Sequence, residues 1–260
     1  MGSAHVQGPL WGAAADDWAT IVEPGQIPFY EAALDATRVG AGTKFLDVGC
    51  GSGLALELAH RRGATVSGLD AAEGLLAFAR TRLPGADLRH GDLEDLPYDD
   101  GSFDAVTAFN SVQFASDPVA ALREIKRVAS PGSPVAVATW GRVEQCEMRF
   151  VLGAIGSLLP PPPPGAGGPF ALAAPGALEA LVESAGLTAE QAIDVPTPFI
   201  YADLGTAVRG VLASGVGRRA IDIAGQEAAT SVAAGALRTA TLADGSIHLD
   251  NVFKVVVARA

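Results

Sequence analysis

Phe45-Leu46-Asp47-Val48-Gly49-Cys50-Gly51-Ser52-Gly53 is a short apolar run that ends in glycines at alternate positions. It opens into Leu54, Ala55, Leu58 and Ala59, which recur at helical spacing, so the segment reads as a buried strand, a tight turn and a helix. Bare backbone at such a turn lets the main chain approach a ligand where any Cβ would collide. The spacing also separates two kinds of cofactor. A dinucleotide fingerprint carries its third glycine one residue further on, to seat a pyrophosphate at the helix start, and position 54 is Leu. A nicotinamide-dependent oxidoreductase is therefore the remoter reading.

Outward from this turn, apolar runs alternate with helical periodicity, the pattern of β-α-β units in a parallel sheet. Thr65 to Leu69 is expected as the second strand, and Glu73 to Leu83 as a helix closed by Pro84 and Gly85. Ala86 to Arg89 and Phe103 to Phe109 follow as the third and fourth strands. Asp117 and Pro118 read as the cap and first residue of a helix with Leu122, Ile125 and Ala129 on its buried stripe. Pro131 and Gly132 stop that helix before a fifth strand, Val135 to Thr139. Asp70 falls at the carboxyl edge of the second strand, where open α/β sheets bind ligands. Its carboxylate can accept both hydroxyls of a ribose, or serve only as a cap for the next helix.

Beyond Gly141 the texture changes. Arg142 to Leu172 mixes charge, a short apolar helix around Phe150 to Leu159, and the run Pro160 to Pro164 with glycines behind it, which marks an insertion. A helix from Gly176 to Ala185 leads to a sixth strand near Gln191 to Ile200. A second helical stretch, Leu204 to Ala240, then precedes the last strand, Val252 to Ala258.

With 260 residues, 49% of them hydrophobic and 18% charged, the chain can bury the core of one large α/β domain. A formal charge of −11 repels phosphate backbones, and the 18 Lys and Arg are scattered, so no nucleic-acid partner is expected. Cys50 and Cys146 are too few for a disulfide framework or a structural zinc site; no metal is expected, and a reducing compartment fits. The longest apolar runs are too short to span a bilayer, and Met1 to Leu10 lacks the pattern of a signal peptide. The expected location is cytoplasmic, with no membrane partner.

The glycine turn with Asp47 two residues before it resembles motif I of the class I methyltransferases. Gly91-Asp-Leu-Glu-Asp-Leu-Pro-Tyr98 resembles the family segment that holds an adenine ring, and Asp99 to Val106 with Phe109 to Pro118 resembles the fourth strand and its following loop. Arg123 to Gly132 resembles the helix before strand five. Together the resemblance covers residues 40 to 140 and is to the ubiquinone/menaquinone-biosynthesis type of methyltransferase domain. It implies S-adenosylmethionine as cofactor, with S-adenosylhomocysteine as product. The implied fold is α/β: a Rossmann-like, seven-stranded, mostly parallel sheet with an antiparallel last strand, helices on both faces and a small helical cap from insertions.

By the same resemblance the cofactor site would comprise Trp18, Asp47, Gly49, Cys50, Gly51, Gly53, Asp70, Ala71, Leu75, Asp92, Leu93, Asn110 and Ser111. Asp92 would accept a hydrogen bond from the exocyclic amine, the Leu93 backbone would read the ring edge, and Asn110 would lie at the methionine end. Gln113 stands where many relatives carry His, and an amide does not titrate. The loop after strand four also lacks the Asn or Asp, Pro, Pro, aromatic pattern of enzymes that methylate bases or glutamine.

Trp11 to Trp18, with Phe29 and Tyr30, resembles the lid helices of relatives, where aromatic faces attract a sulfonium; the same residues also suit plain packing on the core. The expected organisation is a helical lid at 1–40, a cofactor-binding core at 41–141, a cap insertion at 142–172, and the rest of the core at 173–260 with a helical insertion at 204–240. Trp11, Tyr30, Gln113 and Phe114 are the candidate substrate contacts. His60, His90 and His248 are read as structural, and no catalytic residue is assigned. The expected function is methyl transfer to a small, apolar metabolite by in-line displacement, aided by proximity and desolvation. The alternative is a methyltransferase-like protein that binds the cofactor without transferring methyl, in a binding or cyclase-type role. A monomer or a homodimer is expected.

Overall fold

The computed structural model describes residues 2–161 and 167–260, so part of the expected cap insertion, including 162–164 of the proline run, lies outside the described residues. Strands β1 (Lys44–Val48), β2 (Thr65–Asp70), β3 (Asp87–His90), β4 (Ala105–Phe109), β5 (Pro134–Trp140) and β6 (Thr188–Pro196) are followed by a short pair, β7 (Phe199–Tyr201) and β8 (Ile247–Leu249), and by β9 (Val252–Arg259). Seven of them form one sheet in the order β3-β2-β1-β4-β5-β9-β6. Pairings through β5 are parallel, whereas β9 runs antiparallel to both β5 and β6. This is the expected Rossmann-like sheet.

The helices are α1 (Ala4–Gly12), α2 (Ala15–Asp17), α3 (Ile27–Ala36), α4 (Leu54–Arg61), α5 (Glu73–Arg82) and α6 (Pro118–Val128). Then come α7 (Met148–Gly156), α8 (Ala177–Ser184), α9 (Leu204–Ala213), α10 (Gly215–Ala224) and α11 (Gln226–Leu237). Alternation along the strands divides the core into two clusters. Phe45, Phe109, Ala136, Phe253 and Val255 face one side, with α3 and α4, while Leu46, Val48, Val106, Val137 and Val256 face the other, with α6 and α8. A sheet buried on both faces needs this near-continuous apolar character.

Three expectations change in detail. The single strand expected near Gln191 to Ile200 is two: β6 ends at Pro196, and β7 leaves to pair with β8 in a separate sheet. Pro196 and Pro198 flank the break, and a proline has no N–H to continue a ladder. The Leu204–Ala240 stretch divides at Ser214, whose Oγ caps α10 by accepting from Gly217 N at 3.1 Å, and at Gly225, whose φ of 87° is one that L side chains rarely adopt. The fourth strand begins at Ala105 rather than Phe103, because Asp104 turns its carboxylate back to accept from Lys44 N at 2.9 Å.

These connections place β1 and β4 side by side with their helices on opposite faces, which opens a crevice at their carboxyl ends. The helix beyond that crevice, α6, is fixed by Asp117, whose Oδ1 accepts from Val119 N and Ala120 N, both at 3.0 Å. Replacing Asp117 with Ala should cost about 0.5–2 kcal/mol, read as a lower urea midpoint at unchanged slope.

Candidate functional site

The turn after β1 is held by main-chain bonds: Gly49 N and Cys50 N both donate to Leu69 O, at 2.8 and 3.0 Å. Its three glycines answer three different constraints. A Cβ on Gly49 would lie 2.4 Å from the Ser111 Cβ, so this position is closed by the β4 loop. Gly51 has a φ of 55°, and a Cβ there would project toward Trp18 Nε1 and Glu23 Oε1 across the crevice. Gly53 faces away; its missing Cβ lets α4 pack on Ala79 of α5, at 2.9 Å from where a Cβ would stand. The expected cofactor contact at Gly53 is thus a packing contact in this structure.

Asp70 ties the turn to β2. Its Oδ2 accepts from Gly51 N and its Oδ1 from Ala72 N, each at 2.7 Å, leaving one lone pair on each oxygen for a ligand hydroxyl. Burial raises its pKa, and the backbone donors at Ala72, Gly51 and Ala71 oppose that rise. Asp47 lies opposite Thr107 in the β1–β4 register, and Thr107 Oγ1 donates to Asp47 Oδ1 at 2.8 Å. Only 1% exposed, with Asp70 and Glu23 nearby, Asp47 is pushed up to about 8, chiefly by desolvation. Burial also pushes the Cys50 thiol up, so it is a neutral wall rather than a nucleophile.

The crevice is lined by Trp18, Asp47, Gly49, Cys50, Gly51, Asp70, Ala71 and Leu75 on the turn side, and by Asp92, Leu93, Asn110 and Ser111 across from it. Trp11, Tyr30 and Phe114 also reach it. Gln113 lines neither this crevice nor the space beyond; it is buried and donates from Nε2 to Asn110 Oδ1 at 3.0 Å. Asp92 is already engaged: its Oδ2 accepts from Ala4 N at 3.0 Å, at the start of α1, and its Oδ1 from Glu94 N at 3.0 Å. Helix α1 lies close over the crevice edge, because Gly8 has no Cβ to strike Ala71 O, 2.3 Å from where one would stand.

Glu23 and Gln26 line the crevice too, and sequence reasoning missed both. Glu23 is 1% exposed, bonded to Arg82, and accepts from Leu54 N at 3.4 Å; Arg82 also donates to Ser52 O at 3.0 Å and Ala19 O at 3.2 Å. The pair therefore clamps the glycine turn between the N-terminal segment and α5. Glu23-Pro24-Gly25 reads as a plain turn, and nothing local links it to Arg82, 59 residues away.

Four carboxylates face this crevice, and Arg82, the cation bonded to one of them, is not on its lining. Such a site favours a cation and disfavours a pyrophosphate, which weighs against the dinucleotide reading on electrostatic grounds. Behind it, sharing Trp11, Trp18, Gln26, Asn110 and Phe114, lies a second cavity walled by Trp140, Met148, Leu152, Phe199, Tyr201 and Val211.

Residues 46–137 match the family described as a methyltransferase domain. Over these residues the chain is similar to a methyltransferase domain. A ubiquinone biosynthesis O-methyltransferase of Xanthomonas oryzae is 36% identical over 148 residues, 54% of this chain and 59% of that one. The chain thus spans under two thirds of the length of that curated relative. A SAM-dependent methyltransferase from Aquifex aeolicus has a solved structure with TM-score 0.52 at 21% identity, covering 66% of this chain and 87% of that one. The [4+2]-cyclase SpnF superposes with TM-score 0.57 at 22% identity, over 89% of this chain and 79% of that one. These structural likenesses establish the fold. No described helix is long and apolar enough to cross a membrane.

Buried in the crevice, Asp47 generates a pH signature. Its pKa of about 8 lies above the unfolded value of about 3.9, so the native state holds the extra proton between these limits and stability falls as pH rises from about 4 to 8. Asp47→Asn keeps the Thr107 hydrogen bond and removes this titration, so urea unfolding at pH 5 and pH 8 should differ less in the variant than in the native protein.

Proposed function

We propose that this chain is an S-adenosylmethionine-dependent methyltransferase acting on a small, predominantly apolar molecule held in the second cavity. The observation that carries the proposal is the junction of two unlike spaces, one acidic and one aromatic, at Gln26, Asn110 and the Trp11–Trp18 pair. The residues fit the cofactor: carboxylates for a cationic ligand, a bare Gly51 where a Cβ would intrude, and an Asp70 with lone pairs free for a pair of hydroxyls. Asp92 and Leu93 would meet the adenine end of such a ligand, and Asn110 and Ser111 its methionine end.

When bound, the cofactor supplies a methyl group on a sulfonium that carries its own leaving group. The protein's part is then to align the acceptor and exclude water, and orientation of this kind can contribute about 7–11 kcal/mol. The aromatic faces suit a cation, with Trp11 and Trp18 edge to face at 4.9 Å and Phe114 at 5.4 Å from Trp11. The described parts of the segments 1–40, 142–172 and 204–240 serve as lid and cap: Trp11 and Val22, Met148 and Leu152, and Val211 and Val216 come from these three in turn to wall the second cavity. A wide, charged groove there would contradict an apolar acceptor.

Calorimetry with S-adenosylmethionine should show binding, and Asp70→Ala should weaken it by about 1.5–3 kcal/mol for each charge-assisted bond lost. Affinity for the cationic cofactor should rise as pH approaches 8 and Asp47 ionises, a dependence that Asp47→Asn should lose. Transfer of labelled methyl to a panel of small acceptors tests the reaction itself. Binding without any transfer would favour the binding or cyclase-type alternative.

A further inference from the structure

The second cavity is short of titratable groups. Among its described lining residues the one that ionises is Tyr201, and burial pushes that hydroxyl well above the usual phenol range. The carboxylates of Glu23, Asp47, Asp70 and Asp92 line the crevice and not this cavity. The chamber therefore offers no group to take a proton from an acceptor. An aliphatic alcohol or a simple phenol, protonated at neutral pH, would stay a poor nucleophile in it.

Two amides stand where the spaces meet, and each has its oxygen engaged. Gln26 Oε1 accepts from Tyr30 Oη at 2.8 Å, and Asn110 Oδ1 accepts from Gln113 Nε2 at 3.0 Å. Each oxygen thus keeps one lone pair, whereas the N–H2 groups of Gln26 and Asn110 donate to none of the described residues. Gln113 is 1% exposed, and its Oε1 has no partner among the described residues. A buried carbonyl left unpaired costs stability, so packing alone does not explain an amide here. Orienting Asn110 does. Asn110 itself has a φ of 50°, unusual for a residue with a side chain. Two unpaired N–H2 groups at the junction suit an oxyanion or carbonyl oxygen, which can accept from both, better than an amine.

Resting on the methyltransferase reading above, we propose that the acceptor is a conjugated, largely apolar molecule with an acidic hydroxyl that is ionised at neutral pH without help from the protein. A carbonyl-conjugated enol or an electron-poor phenol has this chemistry. Its oxygens are held by Gln26 Nε2 and Asn110 Nδ2. An oxyanion lone pair forms the new O–C bond to the methyl carbon while the S–C bond breaks and its electron pair stays on sulfur. Anion and sulfonium become a neutral ether and a neutral thioether, no proton moves, and an apolar chamber favours this loss of charge. Gln113 is a positioning residue that acts through Asn110.

The test uses the full chain with labelled S-adenosylmethionine and four probes: 4-hydroxycoumarin, a series of nitro-substituted phenols, an alkyl alcohol and aniline. Methylation confined to the acidic hydroxyls, with kcat/KM rising along each acceptor's own ionisation curve, is the expected result. Gln26→Met and Gln113→Met should each raise the KM for 4-hydroxycoumarin about 10- to 100-fold, the loss of a hydrogen bond to a charged group. Gln113→Met should still bind the cofactor in calorimetry, which a misfolded variant would not, and restoring the amide with Gln113→Asn should reverse part of the rise in KM. If the cofactor binds but methyl goes to aniline or the alcohol, or to no acidic hydroxyl, the inference is overturned. If the cofactor does not bind at all, the methyltransferase reading fails first.

Discussion

Gly51 N donating to Asp70 Oδ2 joins the end of β1 to the end of β2, and the crevice depends on that link. A parallel sheet brings these strand ends together without specifying what lies between them. The turn remains open because Gly51 adopts a positive φ that points its missing side chain into the crevice, and because Leu69 O takes two N–H groups of the preceding residues. A larger residue at position 51 would fill the space and strain the backbone together. Glu23 and Arg82 add a second tie from the other side, so the turn is gripped by two acids of opposite surroundings, one half-buried at a strand end and one almost fully buried beneath the N-terminal segment.

Charge is segregated across a few ångströms of structure. Asp47, Asp70 and Glu23 crowd the crevice, and each has its pKa raised chiefly by burial, with Asp70 and Glu23 adding to the rise at Asp47. Such an arrangement opposes folding above neutral pH, which a site built only for stability would avoid. A bound cation relieves it. The neighbouring cavity has no charged side chain among its described lining residues, so a cation in the acidic part would face apolar and aromatic groups. The strand register is what permits this contrast: Asp47 meets Thr107 on one face of β1 and β4, while their other face is wholly apolar.

Much of this was legible in the sequence because it is local. Strand alternation, the glycine spacing, the Asp117–Pro118 cap and the acid ending β2 each sit within a few residues of the structure they cause. Long-range ties were not legible. Glu23 reads as part of a turn until Arg82 arrives from α5. Gly53 belongs to the same motif but faces α5, because glycine spacing does not distinguish a residue facing a crevice from one facing a helix. The split of β6 from β7 was foreshadowed by Pro196 and Pro198, yet the partner strand, β8, lies about fifty residues on and depends on a three-helix detour.

Helix α1 is a poor helix on its own terms. It is nine residues long, contains Pro9, and carries glycine at positions 8 and 12. A segment this short and this interrupted does not persist without tertiary support. Its support is the crevice edge itself: Asp92 accepts from Ala4 N, Gly8 sits against Ala71, and Gly12 meets Gly74. The residues that weaken the helix are those that let it lie close, since any larger side chain at Gly8 would strike the Ala71 carbonyl. A cover assembled this way gains its order from the surface it covers. Contacts with α5 and α10, rather than its own helix propensity, hold such a segment in place.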